Sequence, residues 1–170
     1  MNPWEPKRSP QRARGRAAEE EPAGPHLDLE VLGRAAPDVC ILFTGPASAR
    51  EIARRVHTLG GGSRLHFRVV DCRWADDVLE REIARGLRPG SSGTVLFEEV
   101  GRLSRKMQER LFSALDETPD PRSPRPPRAR VMASTSEPLL QRALEGSFHE
   151  RLLYRLNAIQ VVVPLALDDL

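Results

Sequence analysis

Cysteine is scarce in this chain, and lysine is scarcer than its positive charge would suggest. Cys40 and Cys72 are the only cysteines, and Lys7 and Lys106 the only lysines among 26 basic residues. Both cysteines fall in apolar, strand-like segments, which reads as buried reduced thiols rather than a disulfide. Long apolar runs are absent: nothing approaches the roughly 18 residues of a membrane span, and the N-terminus has no apolar leader core. A cytoplasmic protein with no membrane partner is expected. The net charge of +2 is too small to imply nucleic-acid binding by itself. No internal repeat is visible. What is there, 39% hydrophobic and 29% charged residues over 170 positions, suits one globular domain with a real core and polar extensions.

Residues 1–25 combine scattered prolines with a basic block, Lys7–Arg16, and an acidic block, Glu19–Glu21. Such a segment has little to bury and is expected to be a disordered tail. Residues 26–170 then read as one folded unit. Apolar or β-branched runs predict strands at Asp38–Thr44, Leu65–Cys72, Val95–Phe97, Arg130–Thr135 and Ala158–Val163. His26–Arg34 is a short helix or strand. Arg50–Leu59 carries Ile52, Ala53, Val56 and Leu59 on one helical face and is stopped by Gly60–Gly62. A second helix, capped by Asp76 or Asp77, ends at Gly86. A third, from Ser104 to Glu117, has the inner stripe Met107, Leu111, Ala114 and Leu115. Pro138–Leu144 and Glu150–Leu156 are short helices. Thr118–Arg128 holds five prolines and three arginines and reads as an exposed connector. Strands alternating with helices predict a three-layer α/β domain with a parallel sheet.

Two stretches carry the chemistry. In Ser92–Glu117 an apolar strand ends abruptly in two carboxylates, Glu98 and Glu99, and the carboxyl tips of parallel strands are where α/β sheets bind ligands. The turn Gly45–Glu51 joins a strand to a helix, the setting of a phosphate-binding loop. The working pattern G-x-x-x-x-G-K-[ST] is not met: Gly45-Pro46-Ala47-Ser48-Ala49-Arg50-Glu51 has no second glycine, no lysine and no hydroxyl after the basic residue. Read alone, it is an ordinary strand-to-helix turn.

Six segments in unbroken order, over residues 38–165, resemble the AAA+ domain of the sigma-54 activators, the bacterial enhancer-binding proteins. They are TGPASARE at Thr44–Glu51, FRVVDCRW at Phe67–Trp74, EREIARG at Glu80–Gly86, the stretch Gly93–Glu117, RVMASTSEPL at Arg130–Leu139, and GSFHERLLYRLNAIQVVVPL at Gly146–Leu165. The resemblance implies a P-loop NTPase (AAA+) core, here without the family's helical lid. It assigns Glu98 to the Mg²⁺-holding Walker B position and Glu99 to the catalytic base. Ser136 falls at the sensor position. Gly45, Ser48, Ala49, Arg50 and Glu51 take the place of the nucleotide loop. Of the two family arginines that reach a neighbouring subunit, the first is His149 and the second is kept as Arg155; Arg151 lies close to the lost one.

The departures matter as much. The family's GAFTGA loop, which grips sigma-54, is replaced by Leu87–Ser92, so direct sigma-54 contact is not expected. The helix-turn-helix of the family is not seen either, so DNA binding is not expected, although Lys7–Arg16 or Arg122–Arg130 could touch nucleic acid. Without the Walker A lysine, the Mg²⁺ hydroxyl, the sensor asparagine and one arginine finger, ATP and Mg²⁺ would bind weakly at best and little hydrolysis should remain. The resemblance thus implies a degenerate, non-hydrolysing module acting in transcription regulation through an AAA+ subunit or another regulator. A weak ATPase supplying Arg155 in trans to mixed rings is the alternative, and a decaying fragment a third.

Overall fold

Short apolar strands that are hydrophobic on both sides must sit between two layers of helix, and the computed structural model has that arrangement. It describes residues 28–36, 38–45, 49–116 and 128–163. The strands are β1 (Ile41–Thr44), β2 (Phe67–Asp71), β3 (Thr94–Glu98), β4 (Arg130–Thr135) and β5 (Ile159–Val162). They form one sheet in the order β2-β3-β4-β1-β5, and every pairing is parallel. β3 and β4 are buried along their whole length, as central parallel strands should be. β2 and β5 are the half-exposed edges.

The helices are α1 (Leu29–Arg34), α2 (Arg50–Leu59), α3 (Asp76–Leu87), α4 (Arg105–Asp116), α5 (Leu139–Leu144) and α6 (Glu150–Leu156). The twofold alternation of strand side chains divides the interior into two cores. Leu42, Val95, Phe97 and Ala133 point towards Ile83, Met107, Leu111 and Leu152, on α3, α4 and α6. Ile41, Phe43, Leu96 and Met132 point the other way, towards Ile52, Ala53 and Val56 of α2. The result is the three-layer α/β architecture expected from the alternation of elements. Residues 1–27 and 117–127 lie outside the described residues, and with them the expected tail and nearly all of the connector. Its last residue, Arg128, is half-buried rather than exposed.

Several boundaries and faces differ from the sequence reading, each for a local reason. His26–Arg34, left open between helix and strand, is helical from Leu29, with Asp28 Oδ1 accepting from the N–H groups of Glu30 and Val31. The cap of α3 is the backbone of Ala75, not Asp76 or Asp77; Asp76 instead accepts from Ser104 Oγ at 2.7 Å, tying α3 to the start of α4. α3 runs one residue past Gly86, which is buried so closely against β3 that a Cβ there would lie 3.2 Å from Val95 Cγ2. Leu59 is 47% exposed, and its expected place on the inner face of α2 is taken by His57.

His57 is buried with its Nδ1 2.8 Å from Thr94 Oγ1, linking α2 to β3. Burial holds its pKa below the ordinary imidazole value, against the partly opposing effect of the Leu65 and Gly62 backbone. Arg130, the last residue of the second basic block, is also interior: its guanidinium donates to the carbonyls of Leu32, Gly33 and Ala35 at the end of α1. Cationic donors at a helix C-terminus satisfy carbonyls the helix leaves unpaired. Cys40 and Cys72 are buried and free, as read from the sequence. Among the described residues no helix is long and apolar enough to cross a membrane.

Candidate functional site

The carboxyl edge of the sheet collects the charged residues the sequence pointed to. β3 delivers Glu98 as its last residue, buried, and Glu99 immediately after it in a left-handed conformation, φ 55 and ψ 50. This is the only non-glycine residue with positive φ among the described residues. The left-handed step turns the chain straight into the 3₁₀ turn Val100–Arg102. It also sends two neighbouring carboxylates in different directions.

Glu98 meets Arg50. Nε of Arg50 donates to Oε1 at 2.8 Å and Nη2 to Oε2 at 2.5 Å, a bidentate fork that engages both carboxylate oxygens. That bond, and the field of Glu98, raise the pKa of Arg50 further above its already high value. Glu99 meets Ser136 instead: its Oε2 accepts from Ser136 Oγ at 2.9 Å and from the Ser136 N–H at 3.2 Å. The two positions named as catalytic base and sensor are therefore in direct contact.

The sequence reading assigned no role to Asp71 or Arg73, yet they complete the cluster. Asp71 ends β2 beside Glu98 and accepts from Nε, Nη2 and the backbone N–H of Arg73. The Arg73 side chain is the main reason its carboxyl sits below the usual carboxylate range. The signal was present as a D-x-R at the end of a strand, already quoted within FRVVDCRW. Three carboxylates and two guanidiniums thus line this edge.

The strand-to-helix turn is built differently from a phosphate cradle. The Gly45 N–H is spent on the carbonyl of Thr135 at 3.1 Å. Gly45 adopts φ 146, and a Cβ on it would lie 2.2 Å from the carbonyl oxygen of Val163, so glycine is needed here for the last strand to close. Ala49 is the buried N-cap of α2, and its side chain makes no cap bond. Glu51 is exposed in the first turn of α2, where a carboxylate complements the helix dipole and would repel an incoming phosphate. Ser48 lies outside the described residues.

The Mg²⁺ ion implied by the resemblance does not fit these residues. The carboxylate that would hold it is saturated by a guanidinium from the same chain, and no group of three or more His, Cys, Asp or Glu side chains able to hold a metal occurs among the described residues.

Arg155 lies elsewhere. On α6, it points its donors at the carbonyls of Asp38 and Leu115, each at 3.5 Å, near the amino end of β1 and away from the carboxylate cluster. His149, at the first finger position, caps α6: its Nδ1 accepts from the Leu152 N–H at 3.0 Å while its ring stacks on Phe112. Gln108, also unmarked in the sequence, is buried and accepts from the His149 N–H at 2.7 Å.

A five-stranded parallel sheet in this order, with a strand-turn-helix unit and acids at the carboxyl ends of β2 and β3, is the P-loop NTPase fold. Residues 81–162 match the model of the Sigma-54 interaction domain, so this part of the chain is similar to the AAA+ domain of sigma-54 activators. The Transcriptional regulatory protein FlbD of Caulobacter vibrioides is 28% identical over 159 residues, covering 80% of this chain and 35% of FlbD. NtrX from Brucella abortus, crystallised in complex with ATP, superposes with a TM-score of 0.65 at 22% identity, over 80% of this chain and 35% of NtrX. The P-loop NTPase domain of the sigma-54 transport activator from E. coli does so with a TM-score of 0.54 at 17% identity, over 81% and 91%. The chain spans about a third or less of the curated relatives it matches first.

Proposed function

We propose that this domain is a non-hydrolysing form of the sigma-54-activator AAA+ fold, acting as an interaction module, with at most weak nucleotide binding, in bacterial transcription regulation. The observation that carries the reading is the Arg50–Glu98 fork. A cation supplied by the chain itself occupies the carboxylate that the family reserves for Mg²⁺. Arg50 is also the only basic residue of the turn, so the one group there able to neutralise phosphate charge is committed to Glu98. A planar guanidinium in a bidentate pair is not interchangeable with a lysine ammonium. Glu51 at the start of α2 and the spent N–H of Gly45 support the same conclusion.

On this reading residues 26–170 form the module, its partner is an AAA+ subunit or another transcription regulator, and sigma-54 is not gripped through the short loop after α3. The test is titration with a fluorescent ATP analogue, with and without Mg²⁺, beside a hydrolysis assay. Weak or absent binding that Mg²⁺ does not strengthen is expected. Hydrolysis at a rate usual for an intact AAA+ domain, abolished by Glu99→Gln, would overturn the proposal.

The position of Arg155 favours a second reading, a subunit of mixed rings that serves its neighbour's site. It lies away from its own carboxylate cluster and, among the described residues, donates only to two carbonyls at 3.5 Å. Stimulation of an intact activator's ATPase that vanishes with Arg155→Ala is the expected result, and stimulation unchanged by that substitution excludes it.

A further inference from the structure

At the amino edge of the sheet, opposite the carboxylate cluster, a cleft of about 460 Å³ opens between the end of α3 and the starts of β2 and β3. Its walls are basic and polar: Arg68, Arg85, Arg88, His66, Ser91 and Ser92 all line it. No carboxylate belongs to the lining. Glu82 lies just outside and pairs with Arg68 at 3.0 Å, which neutralises that one guanidinium. Arg85 and Arg88 have no ion-pair partner among the described residues, so the cleft holds two uncompensated positive charges.

The backbone keeps the space open. Gly86 forms part of the wall, and a Cβ there would press on Val95 and approach Arg68 Cδ at 3.9 Å. Gly90, at φ 83, makes the turn that brings Arg88 and Ser92 to the same opening, and Ser91 Oγ pins it by donating to the Gly86 carbonyl at 3.1 Å. Two arginines beside serine hydroxyls suit a phosphate group, which accepts several charge-assisted bonds from planar donors.

We propose that this cleft binds a small phosphomonoester as its dianion, the two unpaired guanidiniums of Arg85 and Arg88 matching its two charges. The volume exceeds that of a bare phosphate and leaves room for a sugar-sized body. This site lies on the other side of the sheet's long axis from Glu98 and Glu99 and does not depend on the reading given for them.

The experiment is calorimetric titration of the full chain with ribose 5-phosphate, ribose and inorganic phosphate at fixed ionic strength. Ribose 5-phosphate and phosphate should bind and ribose should not. Arg85→Gln and Arg88→Gln should each weaken binding roughly tenfold or more, the scale of one charged hydrogen bond. Arg81→Gln, which removes an equal charge from the exposed face of α3, should leave it unchanged. Arg88 is on a surface loop, so its variant isolates binding from folding; an unaltered melting temperature verifies this. Binding unaffected by Arg88→Gln, binding of ribose as tight as its phosphate, or binding of duplex DNA alone through the same arginines would each overturn the proposal.

Discussion

Arg50 and Glu98, 48 positions apart in sequence, are joined by two parallel hydrogen bonds of 2.8 and 2.5 Å that bridge α2 and β3 at the carboxyl edge of the sheet. Glu98 is buried and Arg50 is half-exposed, so solvent screens the pair from one side. Replacing Arg50 by Ala removes the only guanidinium in the fork and should cost about 1 kcal/mol. For a chain of this size that is a fall of about 2–4 °C in melting temperature. Arg50→Lys should recover only part of it, since a single ammonium cannot reproduce the fork. Thermal unfolding of the two variants side by side checks the order; equal stability of Lys and Arg would show that charge alone matters here.

Glu99 bears the left-handed φ of 55 at the start of the 3₁₀ turn. Asn tolerates that conformation and a β-branched side chain does not. Glu99→Asn should therefore lose only the bonds to Ser136, whereas Glu99→Val should lose about 1–2 kcal/mol more. Denaturant unfolding measures the difference, and a Val variant as stable as the Asn variant would contradict it.

His57 supplies a pH dependence with a definite sign. Its pKa is lowered in the folded state, chiefly by burial. In the window just below the ordinary imidazole value the unfolded chain binds a proton that the folded protein does not. Stability therefore rises with pH across that window and is lost as pH falls towards the lowered folded value. Urea unfolding from pH 5 to 7 should show this slope, His57→Gln should flatten it, and Thr94→Val, which removes only the partner hydroxyl, should keep it.

Gly62 has a backbone any residue could adopt, but a Cβ there would come within 2.4 Å of His57 Cε1 and Nδ1. Gly62→Ala must push a buried ring away from Thr94 and should cost about 1–3 kcal/mol, the scale of overpacking in a closed interior. Ser63→Ala, exposed and next to it in the 3₁₀ turn Gly62–Arg64, should cost little. A near-neutral Gly62→Ala in chemical denaturation would mean that the ring and the His57 carbonyl oxygen, 2.5 Å from the same Cβ, can both give way.

Much of the fold could be read before any coordinates, because its signals are local. β4 at Arg130–Thr135, α2 at Arg50–Leu59 and α6 at Glu150–Leu156 fall where periodicity and β-branching put them. The stripe of Met107, Leu111, Ala114 and Leu115 is buried as a helical repeat demands. The misses share another character. His57, Gln108 and Arg130 are polar residues made interior by partners far away in the chain, at Thr94, at His149 and at Leu32–Ala35. Nothing in a window of a dozen residues announces such a partner. The site was legible in the same divided way. Glu98, Glu99 and Ser136 could be named from their segments, but the choice of Glu98 by Arg50 and of Glu99 by Ser136 depends on the left-handed step between the two acids.

The close approach of Gly45 to the Val163 carbonyl bears on how this domain should be probed by mutagenesis. Val163 also donates its N–H to the Thr44 carbonyl at 2.7 Å, so the glycine sits under the clasp that joins the first strand to the last. A side chain at position 45 would lever β5 off the sheet before it touched any phosphate. The residue that an experimenter would substitute first to silence a nucleotide loop is, in this protein, a hinge pin of the scaffold. A dead Gly45 variant would thus report a broken fold, and questions of chemistry are better put to Arg50 and Glu99.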